Sequence, residues 1–252
     1  MARLKSTVAS VEKGGPLDLD KILKEGPPKN RIYLAGIELE GLWDDPLHKL
    51  DLVKDTSVTV PSDPGMKAPK TGELFCSPMI PSEALAWVKK FYPNKVDASC
   101  GMHVHVSFKN AYHYTILINK AYQDTVLHYF TRWAKDEGFP PGHHIWNRLN
   151  GKSVYCKNVF CPEVQLKEFR KRHNRDDKLS RYTVINYCFK TDDKGTLECR
   201  LLPMMETKQQ AVRAIEHFFN ITNACLIALA EKDELLMEEF TLPRGITDRT
   251  FI

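Results

Sequence analysis

The residues best suited to chemistry sit in the octet Cys100-Gly101-Met102-His103-Val104-His105-Val106-Ser107. The run reads as a β-strand, so His103 and His105 leave one face and Val104 and Val106 leave the other, toward a core. At strand rise the two imidazoles start roughly 6.6 Å apart. That spacing lets both reach one metal, or one metal and one phosphate. Cys100-Gly101 just ahead of them points to a tight bend or a close backbone approach. The plainer alternative is two polar residues on the wet face of a half-buried strand. The octet alone does not choose between the two; the rest of the chain tips the balance.

Arg31 to Gly41 is a second strand, with Gly41 at its end. Glu38 and Glu40 share one face, Ile37 and Leu39 the other. Two neighbouring carboxylates repel each other unless they are solvated or bridged by a cation. Carboxylate oxygens are the preferred ligands of Mg²⁺ and Mn²⁺. A solvent-facing side is the alternative, and the apolar remainder of the segment favours the metal. Tyr182 to Phe189 and Thr196 to Leu202 read as two strands joined by the turn Asp192-Asp193-Lys194-Gly195. This puts Glu198 and Arg200 on one face, where simple pairing across the sheet would also account for them. Asp55 to Val60 and Thr71 to Pro78 read as further strands. The acid of the latter, Glu73, taken alone is a surface residue. His143-His144 lies in a Pro/Gly loop and ranks well below His103 and His105 as a metal pair.

Helices must position these strands. Ser82 is expected to cap a helix that runs to about Tyr92, with Pro93 as the stop. Ala111 to about Trp133 carries an apolar stripe at helical spacing that belongs to a core. Residues 145–162 read as irregular and contain Arg148, Lys152 and Lys157. Glu163 to Lys178 reads as a charged helix with a solvated face. Thr207-Lys208-Gln209-Gln210 is a capping-box start for a helix running to about Leu229. Leu17 to Lys24 is a short helix stopped by Gly26-Pro27-Pro28, within an arm or linker of residues 1–30. The catalytic domain is then 31–235, and 236–252 is a tail.

Composition narrows the classes. The net charge of +4 over 252 residues permits a phosphorylated ligand and does not point to nucleic acid. Seven cysteines without a CxxC pair read as free thiols in a reducing compartment. No apolar leader follows Met1 and no apolar run approaches membrane-spanning length, so a cytoplasmic protein without membrane partners is expected.

The order of motifs resembles the amidoligase family. A strand with Gly-x-Glu-x-Glu (Gly36, Glu38, Glu40) comes first, then Asp55-Thr56-Ser57, then Glu73 followed by Ser77-Pro78. The histidine octet follows, then Arg181-Tyr182 with Asn186, and last Gly195-Thr196-x-Glu198-x-Arg200. The family belongs to the carboxylate–amine ligases, with glutamine synthetase and glutamate–cysteine ligase, and many of its genes occur in phages and bacteria. The resemblance spans roughly residues 31–230.

It implies an α+β fold with a curved, mostly antiparallel sheet and helices on its outer face. It also implies an ATP-dependent ligase that forms an amide through an acyl phosphate, with Mg²⁺ or Mn²⁺. By resemblance Glu38, Glu40, Glu73, His103 and Glu198 are metal ligands, and His105 touches metal or nucleotide phosphates. Arg200 steadies the transferring phosphoryl group, as an always-charged fork suits a phosphate. Arg181 and Asn186 contact nucleotide or substrate, and Arg148 is a candidate for a substrate carboxylate. The partners implied are small-molecule or peptide acids and amines, with a separate glutamine amidotransferase by family analogy. In this chain a Pro-rich loop separates Asp55-Thr56-Ser57 from Glu73, which loosens the register of Glu73 against the other ligands. Two other classes compete: a metal-dependent hydrolase built on the same histidines and glutamates, and a non-catalytic module of the same fold.

Overall fold

The computed structural model describes residues 15–26, 33–44, 52–108, 111–160, 182–191 and 194–230. Among the described residues five strands form one open sheet: β1 (Tyr33–Asp44), β2 (Pro69–Phe75), β3 (Gly101–Phe108), β4 (Ile185–Thr191) and β5 (Lys194–Pro203). Their spatial order is β2-β1-β3-β5-β4, and every neighbouring pair is antiparallel. Among the described residues the helices are α1 (Asp20–Glu25), α2 (Pro81–Phe91), α3 (Ala111–Leu117), α4 (Lys120–Asp136), α5 (His144–Leu149) and α6 (Lys208–Ala230). The class is the α+β expected from the strand and helix patterns.

Alternation along the strands builds the core. Ile37, Leu39, Met102, Val104, Val106, Leu197, Cys199 and Leu202 are fully buried on one face. Helices close that face. The Phe219 ring of α6 lies 5.9 Å from the Tyr33 ring, and Tyr33 OH donates to Phe219 O at 3.2 Å. Tyr187 OH donates to Leu117 O of α3 at 2.8 Å, and Trp43 Nε1 to Phe91 O of α2 at 2.9 Å. α6 in turn packs against α1, α2, α3 and α4. Leu19, ahead of α1, is fully buried, and its N–H donates to Tyr129 OH at 2.7 Å. The opposite face of the sheet keeps its polar residues.

Several expected elements are corrected. Asp55 to Val60 is not a strand. Val53 makes an isolated bridge to Glu73, and the chain then turns, with Asp55 Oδ1 accepting the Ser57 N–H at 2.7 Å. An aspartate that satisfies its own neighbouring backbone favours a turn over a ladder. Ser82 is not a cap: Pro81 occupies the first helical position, where its missing N–H costs nothing. The helix expected over 111–133 breaks at Asn119, whose side chain accepts the Ala121 N–H at 2.9 Å and starts α4 afresh. Within the stretch read as irregular, His144–Leu149 is helical, and the strand read from Tyr182 begins at Ile185. Gly41 does not end β1. It lies mid-strand, where a Cβ would come within 2.6 Å of Pro93.

The capping box is present: Thr207 N–H donates to Gln210 Oε1, and Gln210 N–H donates to Thr207 Oγ1, both at 3.2 Å. Residues 163–178, Asp192, Asp193 and the tail lie outside the described residues. Among the described residues no helix is long and apolar enough to cross a membrane. Cys76, Cys100, Cys156, Cys199 and Cys225 are free thiols.

Candidate functional site

Strand register assembles the site. Glu73 lies opposite Glu40, Glu38 opposite His103, His105 opposite Glu198, and Glu198 opposite Asn186. Partners directly opposite share a face, so one polar row crosses all five strands. The β3–β5 register shifts between Met102 and Val104. β5 covers three residues there against two of β3, so Arg200 and Leu201 together oppose His103, and such bulges re-aim side chains next to active sites. The row floors a cavity of about 590 Å³, lined also by Asp55, Thr56, Ser57, Ser99, Tyr155, Tyr182, Arg148 and Arg200.

Two sets of potential ligands converge within it. In each set the ligand atoms lie within 4.8 Å of one another: Glu38, His105 and Glu198 in one, Glu40, Asp55 and Glu73 in the other. His103 belongs to neither. Its Nδ1 sits 2.9 Å from Glu38 Oε2 and 3.4 Å from Glu198 Oε1, bracing both acids. His105 Nε2 lies 2.8 Å from Glu38 Oε1 but out of line for a hydrogen bond, which leaves a buried nitrogen without one. Asn186 Nδ2 donates to Glu198 Oε2 at 2.8 Å, and Arg200 Nη1 pairs with Glu198 Oε1. The Arg200 guanidinium lies 5.6 Å from the centre of the Tyr182 ring.

The charges interact strongly. Burial alone would raise the Glu38 carboxyl, but the hydrogen bond to His103 and the close His105 ring hold it well below the usual range. Burial would likewise raise Glu198, and the Arg200 charge, with His103 and His105, outweighs it and holds Glu198 low. His105 is held above its ordinary value: burial opposes the cation, and Glu38 and Glu198 overcome that. Glu73 is pushed up to about 7, by burial first and then by the charges of Glu38, Glu40 and Asp55. The all-carboxylate set suits Mg²⁺ or Mn²⁺, and the imidazole of the other set adds a donor that also suits Zn²⁺. The buried His105 nitrogen, which makes no hydrogen bond, and the repulsion among Glu73, Glu38, Glu40 and Asp55 are features that a bound cation would relieve.

A pH dependence follows from Glu73. Between the ordinary carboxylate range and about 7 the folded protein keeps a proton that the unfolded chain has released, so stability falls as pH rises through that window. His105 acts in the same direction, because its raised value gives stability that is lost as pH rises through it. The difference between wild type and Glu73→Gln isolates the glutamate. In metal-free urea unfolding, Glu73→Gln is expected to gain about 1 kcal/mol on wild type between pH 5 and pH 8, after allowance for solvent screening. Saturating Mg²⁺ is expected to reverse the order.

The close approach expected at Gly101 is present. A Cβ there would lie 3.0 Å from His103 Nε2, 3.1 Å from Glu40 Oε2 and 3.2 Å from Arg148 Nη2, and the Gly101 N–H donates to Glu40. Gly101→Ala must therefore displace a ligand or its brace. Its Mn²⁺ affinity, read by electron paramagnetic resonance, is expected to fall about tenfold or more, the usual scale for disturbed outer-shell contacts.

Arg148 lines the cavity but is 4% exposed. Its Nη1 donates to Arg200 O at 2.8 Å and its Nη2 to Cys100 O at 3.5 Å. Among the described residues no carboxylate lies within ion-pair reach of it, and burial lowers its pKa. Arg181 lies outside the described residues. His143 and His144 stay out of the row, in a separate cavity with Asp97 and Glu206. Asp55 is the ligand candidate that sequence reasoning did not assign, although its motif was visible; the turn at 55–57 is what aims it inward. Tyr155 and Ser99 carried no signal. No protein-family model, curated protein or solved structure matches the chain. Any functional assignment therefore rests on the chemistry of this cavity.

Proposed function

We propose that the protein is an ATP-dependent carboxylate–amine ligase, cytoplasmic, with a sheet of the glutamine synthetase and glutamate–cysteine ligase type. The observation that carries this reading is the polar row, in which two convergent ligand sets share one cavity with a guanidinium. A carboxylate is a poor electrophile toward an amine. Transfer of the γ-phosphoryl group of ATP makes it an acyl phosphate, and the amine then displaces phosphate and leaves an amide. Phosphoryl transfer is chiefly a matter of positioning and of neutralising charge.

Glu38, His105 and Glu198 would hold one divalent cation, and Glu40, Asp55 and Glu73 a second. Bound Mg²⁺ supplies neutralisation of the phosphate oxygens. His103 braces Glu38 and Glu198, and Asn186 orients Glu198. Arg200 is placed beside the first ligand set to steady the transferring phosphoryl group. Arg181 is assigned to nucleotide by resemblance alone. Arg148 remains the candidate for an acid substrate's carboxylate, and its contacts to two backbone carbonyls give it a structural duty as well. Acid and amine would be small molecules or peptides, and a glutamine amidotransferase partner would supply ammonia.

A two-metal hydrolase is the second reading, favoured by the adjacency of the two ligand sets. ADP release over panels of acids and amines separates them. Arg200→Lys keeps a cation beside Glu198 and removes the fork. In the ligase it is expected to slow ADP release about a hundredfold or more. A nucleotide-independent hydrolysis that survives this substitution would favour the hydrolase and overturn the ligase.

A further inference from the structure

Helix α5 sets Arg148 in the cavity wall, and His143 starts that helix. His143 is the N-cap, in extended backbone geometry, and its Nδ1 accepts the Ile145 N–H at 3.2 Å. At the other end of the helix Arg148 holds the carbonyls of Arg200 and Cys100. A helix of six residues makes too few internal hydrogen bonds to stand alone. It depends on the burial of Ile145 and Leu149, on its packing against β5 and α4, and on what holds its two ends.

We propose that His143 is a positioning residue: its neutral imidazole caps α5 and so holds Arg148 in the cavity wall, and protonation of the ring releases that hold. The reason is the count of lone pairs. Imidazolium carries N–H at both ring nitrogens and cannot accept the Ile145 N–H. It also adds positive charge at a helix N-terminus, where the backbone N–H groups already sum to a partial positive charge. Asparagine or serine would cap equally well without titrating, so a histidine here makes the cap depend on pH.

The His143 ring stacks on Phe139, with 4.2 Å between ring centres and 28° between planes. The charged groups around it come from three segments. Glu206, ahead of α6, favours the protonated ring, and His144, on α5 itself, opposes it. Asp97, ahead of β3, lines the same cavity, but its Oδ1 is engaged by the Ser99 N–H at 2.8 Å and the Ser99 hydroxyl at 2.6 Å. Burial is the largest influence and favours the neutral ring. Protonation therefore falls on the acid side of the ordinary histidine range, and the capping is lost as pH drops through it. The same geometry disposes of a metal role for the pair. With Nδ1 as acceptor, neutral His143 carries its proton on Nε2 and has no lone pair left for a cation.

Amide hydrogen exchange of the full chain, followed by NMR from about pH 7.5 to about pH 5, tests this on wild type, His143→Asn and His143→Ala. Neither metal nor nucleotide is added, so the outcome is independent of the ligase reading. In wild type the protection of the Ile145 amide, corrected for intrinsic exchange, is expected to fall roughly fivefold as His143 protonates. The side-chain N–H signals of Arg148 are expected to broaden with the same midpoint. His143→Asn is expected to stay flat across the range, and His143→Ala to be poorly protected throughout. A flat Ile145 profile in wild type overturns the proposal, and this arm needs no variant to fold. So does a His143→Asn protein that tracks wild type, or a loosened α5 with Arg148 unchanged.

Discussion

Glu198→Ala is expected to destabilise the metal-free protein by about 3 kcal/mol, more than any other single carboxylate replacement in the cavity. The Glu198 side chain is 5% exposed and that of its ion-pair partner Arg200 only 16% exposed. Truncation leaves a largely buried guanidinium without its carboxylate, and it removes Glu198 Oε2, which accepts from Asn186 Nδ2. Breaking a buried pair by removing one partner costs several kcal/mol, because the remaining charge stays desolvated. An opposing effect exists, since Glu38 repels Glu198. Among the influences on Glu198 the Arg200 and histidine charges outrank that repulsion, so the loss wins. Glu198→Gln keeps the shape and one acceptor, and is expected to cost less than half as much while losing cation binding. Urea unfolding with and without Mn²⁺ separates the two effects. A Glu198→Ala protein within 1 kcal/mol of wild type would contradict this picture of the pair.

Arg148→Ala is expected to cost a similar amount, about 3 kcal/mol, for a different reason. Arg148 joins the carbonyl of Arg200 on β5 to that of Cys100 just ahead of β3. Its removal takes the side-chain donor from Arg200 O, while Cys100 O keeps the Met204 N–H at 3.1 Å, and it opens a void beneath the cavity. It also takes away a cation next to Glu40, since both lie within 3.2 Å of the same point at Gly101. The acids are then less compensated, so added Mg²⁺ should stabilise the variant more than it stabilises wild type. Arg148→Met fills the space without donors or charge and is expected to recover part of the loss. Thermal unfolding of the three proteins, with and without Mg²⁺, measures this. Full recovery by methionine would reduce Arg148 to a space-filling role.

The alternation of single residues carried most of the sheet. Ile37 and Leu39 against Glu38 and Glu40, and Val104 and Val106 against His103 and His105, assign faces that the register then respects. Period-two patterning is legible because an error of one residue would bury every acid. Helix starts were less legible where two local signals competed. Ser82 looked like a cap, yet Pro81 before it was the stronger signal. Asn119 was hidden inside an apolar stripe that continues on both sides of the break. Asp55 was lost because its segment is rich in β-branched residues and reads as strand. A turn held by its own side chain is what brings it to Glu40 and Glu73. The division of labour between the histidines was out of reach of spacing alone. It depends on side-chain geometry: His103 Nδ1 lies between Glu38 and Glu198, whereas His105 lies within reach of both acids as part of a potential ligand set.

The central claim is that this cavity binds nucleotide through divalent cations held by the polar row. Calorimetric titration of a non-hydrolysable ATP analogue, with and without Mg²⁺, on wild type and Glu38→Ala tests it most directly. Binding to wild type is expected to require Mg²⁺ and to disappear in Glu38→Ala. No nucleotide binding by folded wild-type protein under any metal condition would contradict it.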